Sequence, residues 1–100
     1  LTNGTYRFAL MGELDHHGAH NILRAVSAAI EQNTPHYLIL DFGGVSFLDS
    51  SAIAVIVNAY RQMTQIGGNL RVEKMSDQGR RVIHAAGLDR LIKFQTEEKI

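Results

Sequence analysis

Asp49-Ser50-Ser51 stands directly ahead of an apolar stretch that runs from Ala52 to Ile66. An aspartate or serine just before a helix accepts hydrogen bonds from first-turn N–H groups that have no partner inside the helix. With Asp49 or Ser50 as the cap, Ser51 falls in the first turn, where its hydroxyl can face solvent. A phosphate on that hydroxyl is expected to meet free backbone N–H groups and the positive end of the helix dipole. It would add roughly −1.5 to −2 charges beside an apolar helix arc. Burying that charge unpaired against a partner costs several kcal/mol, enough to abolish an ordinary complex. On local pattern alone, ordinary capping is the better explanation of the same two serines, because such caps are common.

A second group of reactive side chains is Gly12-Glu13-Leu14-Asp15-His16-His17, with His20 one turn further on. His16 and His20 have the four-residue spacing of a metal-binding pair. No cysteine joins them, and Asp15 and Glu13 are the only carboxylates close by, so metal binding is disfavoured. A serine hydrolase could draw on Ser50 or Ser51, the histidines and Asp15, Asp41 or Asp49. Asp-Ser-Ser-Ala is not a nucleophile elbow, however, and no glycine-rich oxyanion loop accompanies it. Gly43-Gly44 and Gly67-Gly68 lack the Lys-Ser or Lys-Thr pair of a phosphate-binding loop and read as turns. For His84, in the third helix, a packing role is expected.

These groups must be positioned by the elements around them. Asn3-Gly4 is a hairpin signal preceded by only Leu1 and Thr2, so the first strand of such a hairpin would be largely missing. Tyr6, Phe8 and Leu10 alternate as in a half-buried strand that ends at Gly12. Ile22, Leu23, Val26, Ala29 and Ile30 form one stripe of a helix over 18–32, stopped by Asn33-Thr34-Pro35. Tyr37-Leu38-Ile39-Leu40 reads as a strand covered on both faces, and 41–49 as a loop. A second helix over 51–66 is apolar over a wide arc and stops at Gly67-Gly68. Leu70 to Glu73 is a strand. Ser76 caps a third helix that stops at Gly87. Leu91, Ile92 and Phe94 suggest a last strand, and Thr96-Glu97-Glu98 the opening of a final helix. Alternating strands and helices predict an α/β domain with a largely parallel sheet. Sites in such sheets lie beyond the C-terminal strand ends, so Asp15 and Ser51 share one end if their strands are neighbours.

The 100 residues fit one domain over 1–100, and ten basic side chains balance ten acidic ones. Bulk charge therefore forecasts neither a nucleic-acid partner nor an anionic membrane. No apolar run approaches the roughly 20 residues that span a bilayer, and the start carries no signal-peptide pattern. Without cysteine there is no disulfide or thiolate chemistry, in keeping with a reducing, cytoplasmic setting. The first residue is Leu1, so the chain reads as a trimmed or processed piece.

Gly12-Glu13-Leu14-Asp15-His16-His17, then Phe47-Leu48-Asp49-Ser50-Ser51 and Ile66-Gly67-Gly68, resembles the STAS domain of bacterial anti-sigma-factor antagonists, most closely the sporulation type. The similarity extends from Tyr6 to Phe94 and includes the Ala86-Gly87-Leu88 turn. It implies a STAS fold: a four- to five-stranded mixed, mostly parallel sheet with helices packed mainly on one face. It implies phosphorylation at Ser51. The unphosphorylated protein would bind an anti-sigma factor that is itself an ATP-dependent serine kinase, freeing a sigma factor; phosphorylation would inactivate it and a serine phosphatase would restore it. The implied partner surface comprises Asp15 and the start of the second helix: Asp49, Ser50, Ser51, Ala52, Ile53 and Val55. No enzyme activity, cofactor or metal is expected. The alternative is the same fold as an interaction module of an anion transporter, a lipid-transport complex or a stress sensor. Two positions depart from the family: Ala52 and Ala54 stand where glycines are usual.

Overall fold

The computed structural model describes residues 3–90 and 93–95. Four strands, β1 (Thr5–Leu14), β2 (Tyr37–Leu48), β3 (Asn69–Glu73) and β4 (Lys93–Gln95), lie in the order β1-β2-β3-β4. Every pairing among the described residues is parallel. The crossovers are α1 (His16–Asn33), α2 (Ser51–Gln65) and α3 (Asp77–Ala85), the last followed by a short 3-10 turn at Leu88–Arg90. An antiparallel partner for β1 would fall on Leu1 and Thr2, outside the described residues, as do Leu91, Ile92 and the expected helix from Thr96. Asn3 and Gly4 do form a turn, both with positive φ.

One face of the sheet makes the core. Leu10 and Leu14 of β1, Leu38, Leu40, Phe42 and Leu48 of β2, and Leu70 and Val72 of β3 are buried. They share a single apolar cluster with Ala19, Val26 and Ile30 of α1, Ala52, Val55, Ile56, Ala59 and Met63 of α2, and Ile83 of α3. All three helices therefore cover the same face, as a two-layer domain of this size requires. Ile39, on the other face, is 9% exposed and stands outside that cluster, while Tyr37 is largely exposed. The uncovered face is polar: Arg7 of β1 reaches Asp41 of β2 at 3.1 Å and Glu73 of β3 at 2.8 Å, tying three strands together.

Two strands run further than their sequence suggests. Residues 41–49, read as a loop, continue β2 to Leu48, and β1 continues past Gly12 to Leu14. The pairing Met11↔Gly44, Gly12↔Val45, Glu13↔Phe47 and Leu14↔Leu48 holds the extensions together, with register shifts between Ala9 and Met11 and between Gly12 and Glu13. Gly44 serves close approach within the strand pair: a Cβ there would lie 2.8 Å from the Leu10 carbonyl oxygen. The irregular register breaks the simple two-residue alternation that would have marked these residues as strand.

The helix boundaries follow local chemistry. Thr34 ends α1 in the left-handed conformation, its N–H donating to the Ile30 carbonyl. Gly67 ends α2 with φ +76°, and Gly68 N–H donates to the Met63 carbonyl at 2.8 Å. Ser76 caps α3 by accepting from Gly79 N–H at 3.0 Å.

Candidate functional site

β1 and β2 end side by side at Leu14↔Leu48, and Asp49 N–H donates to the Leu14 carbonyl at 3.4 Å. The starts of α1 and α2 therefore share one end of the sheet, and Asp15 and Ser51 lie on the same end of the molecule. Asp15 is the N-cap of α1; its backbone is extended and its Oδ1 accepts from Gly18 N–H at 2.8 Å. The turn into α1 is so tight that a Cβ on Gly18 would collide with the Glu13 carbonyl oxygen.

At the start of α2 the cap is Asp49, whose Oδ1 accepts from Ser51 N–H at 2.8 Å. Ser50 occupies the cap position by backbone geometry but makes no side-chain cap bond. Ala52 N–H donates to the Asp49 carbonyl and Ile53 N–H to the Ser50 carbonyl, each at 3.0 Å. These bonds correct one expectation. The N–H groups of Ser51, Ala52 and Ile53 already have acceptors, so a phosphate on Ser51 would not find them free.

Ser51 is half-buried and lines a cavity of about 200 Å³ between the starts of α1 and α2, together with His16, Ala19, His20, Leu23 and Ala54. A second hollow continues it along the two helices, past Leu23 and Ala54 to Val57 and Arg61. The side chains expected at the partner surface divide on burial. Ser50 is exposed, while Asp15, Asp49, Ser51 and Ile53 are partly so. Ala52 and Val55 are 0% and 1% exposed, which takes both off the surface. They belong to the side of α2 that faces the sheet, because this helix is buried over more of its circumference than one stripe. The sequence points to Asp15 and the start of α2 but not to the wall that His16, His20 and Leu23 of α1 form opposite Ser51. The signal was present: His16, His20 and Leu23 recur at four- and three-residue steps and so share a helix side.

Among the described residues, no three His, Asp or Glu side chains converge as metal ligands. The His16 and His17 rings meet edge-on with centroids 5.9 Å apart. His84 does not pack inward: its side chain is 80% exposed, and Nδ1 lies 2.6 Å from Asp89 Oδ2. That hydrogen bond holds the Asp89 carboxyl below its ordinary value. On the polar sheet face, the hydrogen bond from Gly43 N–H, then Lys74 and Arg7, lower the Asp41 carboxyl against a partial desolvation. A separate cavity of about 410 Å³ is lined by Tyr37, Tyr60, Asn69 and Arg71 among others, at the opposite end of the strands from Ser51.

Residues 2–99 match the profile of the STAS domain. The chain is 33% identical over 99 residues to an anti-sigma F factor antagonist of Lysinibacillus sphaericus, covering 99% of this chain and 85% of the relative. It superposes on the unphosphorylated form of the anti-sigma factor antagonist SpoIIAA with a TM-score of 0.79 at 31% identity, covering 99% of this chain and 86% of the other. The phosphorylated form of SpoIIAA from Bacillus gives a TM-score of 0.72, also at 31% identity, covering 99% and 89%.

Proposed function

The chain belongs to the STAS domain family, and on that premise we propose that it is an anti-sigma factor antagonist, switched by phosphorylation of Ser51. Unphosphorylated, it binds an anti-sigma factor that is an ATP-dependent serine kinase, and so releases a sigma factor in the cytoplasm. The kinase transfers the γ-phosphoryl group of ATP to the Ser51 hydroxyl, whose proton is lost, leaving ADP and a phosphoserine. A serine phosphatase returns the hydroxyl by hydrolysis.

The observation that carries this reading is the position of Ser51. Ser51 lines a groove at the end of the molecule where Asp15, Ser50 and the partly exposed Ile53 also lie. A partner seated there would bury the hydroxyl at the contact. A phosphate at the same point would put a dianion into a desolvated interface, where an unpaired charge costs several kcal/mol. The body of the switch need not change shape, since Ser51 stands in the first turn of α2 and the core begins with Ala52 behind it. Asp15 supplies fixed negative charge to the same surface.

The test is to incubate the protein with candidate anti-sigma kinases and ATP, then map phosphate by intact mass and peptide sequencing. Phosphate on Ser51, absent from Ser51→Ala, is the expected result. Stoichiometric phosphate on Ser50 or elsewhere, with Ser51 unmodified, would overturn the assignment.

A further inference from the structure

The groove raises a question of charge that the helix start does not answer. Phosphoserine at position 51 would carry roughly −1.5 to −2 charges near neutral pH. The N–H groups of Ser51, Ala52 and Ile53 are taken by Asp49 and Ser50. Asp49 brings a negative charge of its own to the same turn. Along α2 no charged side chain occurs from Ser51 to Asn58, and the first cation is Arg61, almost three turns on. Across the groove, the end of β1 holds Glu13, which is exposed, and the cap of α1 is Asp15, whose Oδ1 is committed to Gly18. On α3, Gln78 donates to the Leu48 carbonyl, and Asp77, Arg80 and Arg81 share that helix without lining the cavity. On α1, His17 stands beside His16 and Arg24 one turn past His20, both outside the cavity lining. Two titratable side chains line the cavity with Ser51, and both are histidines: His16 and His20.

We propose that His16 and His20 are the internal receptor for the phosphate on Ser51, donating to it as imidazolium ions from the facing wall of the groove. The inference rests on Ser51 being the phosphorylated residue. The two rings are one helical turn apart on the same side of α1, so both can address one tetrahedral anion. Charge-assisted donors are the strong ones, and histidine is the cation whose charge is set near neutral pH. Phosphate and imidazolium stabilise each other: the phosphate loses its second proton more readily, and the rings hold theirs more firmly. The phosphorylated groove would thus be closed by its own α1 wall and would not present a bare dianion. Occupation of the groove by phosphate and histidines would then exclude a partner by filling the site.

The test uses protein with phosphoserine installed at position 51 during translation, which needs no kinase and so does not depend on how the modification arises. The phosphorus-31 resonance is titrated against pH in wild type, in His16→Gln/His20→Gln and in His17→Gln. The phosphate midpoint should be lower in wild type than in the double variant by about half a unit, a change of about 3-fold in the proton equilibrium. His17→Gln should titrate as wild type. In wild type, the ring resonances of His16 and His20 should titrate at higher pH once Ser51 is phosphorylated, and His17 should not move. Coincident phosphate titrations in wild type and the double variant, or ring resonances indifferent to phosphorylation, would overturn the proposal. The assignment of Ser51 as the switch would be untouched by that outcome, since it is decided by phosphate mapping.

Discussion

Replacing Asp15 by alanine removes a helix cap, and by asparagine only a charge. The Oδ1 atom that accepts from Gly18 N–H at 2.8 Å is partly buried, so water replaces it poorly. Loss of a side-chain cap costs about 1 kcal/mol, within a range of about 0.5–2. Loss of a negative charge at a helix start adds about 0.3–1 kcal/mol at low salt. Asp15→Ala should therefore destabilise the domain by about 1–2 kcal/mol, and Asp15→Asn by about 0.3–1. For a domain of this length each kcal/mol lowers Tm by about 4–8 °C. Chemical denaturation, with midpoints compared at a common slope, separates the two variants. Binding is then measured on the folded fraction of each. If the Asp15 carboxylate contacts the partner, both variants bind more weakly and by similar factors, although only alanine is badly destabilised. Equal stability of the two variants would refute the capping argument. Full affinity of Asp15→Asn would show that the charge takes no part in the interface.

Gly18→Ala places a methyl group against the Glu13 carbonyl oxygen, where backbone and not a flexible side chain must give way. It should lower Tm by more than Asp15→Ala does, as read by circular dichroism. Asp41 has a depressed carboxyl in the folded state, so its contribution is complete above its ordinary value of about 3.8 and is lost as pH falls through the folded value. Asp41→Asn should accordingly be less stable than wild type at pH 7, with the gap closing below about pH 4. A gap that widened in acid would contradict the sign. The effect should be small, because Arg7 is half exposed and pairs across a hydrated surface.

The three helices and their order were legible because each carries an apolar stripe and a stop: Pro35, Gly67 or Gly87. The relation of Asp15 to Ser51 was legible too, since parallel neighbours connected by helices must end on the same side. The strand through Gly43-Gly44 was not. A glycine pair reads as a turn, and only the approach of the Leu10 carbonyl shows why side chains are excluded from position 44. The face of α2 was half legible. Its stripes identified an apolar helix, but a sequence does not say how much of an apolar arc the sheet and α1 will cover, so Ala52 and Val55 were placed on the surface. Whether Asp49 or Ser50 caps α2 was open for the same kind of reason. Both can accept, and the backbone angles at Ser50, φ −64° and ψ −12°, leave the task to Asp49.

The switch is tested most directly by titrating the isolated anti-sigma kinase with the protein in two forms, unmodified and carrying phosphoserine at position 51, by calorimetry at one ionic strength. The unmodified form should bind, and the phosphorylated form should bind at least about 100-fold more weakly, a loss of about 2.7 kcal/mol. Equal affinity of the two forms would contradict the account, whatever residue the kinase modifies.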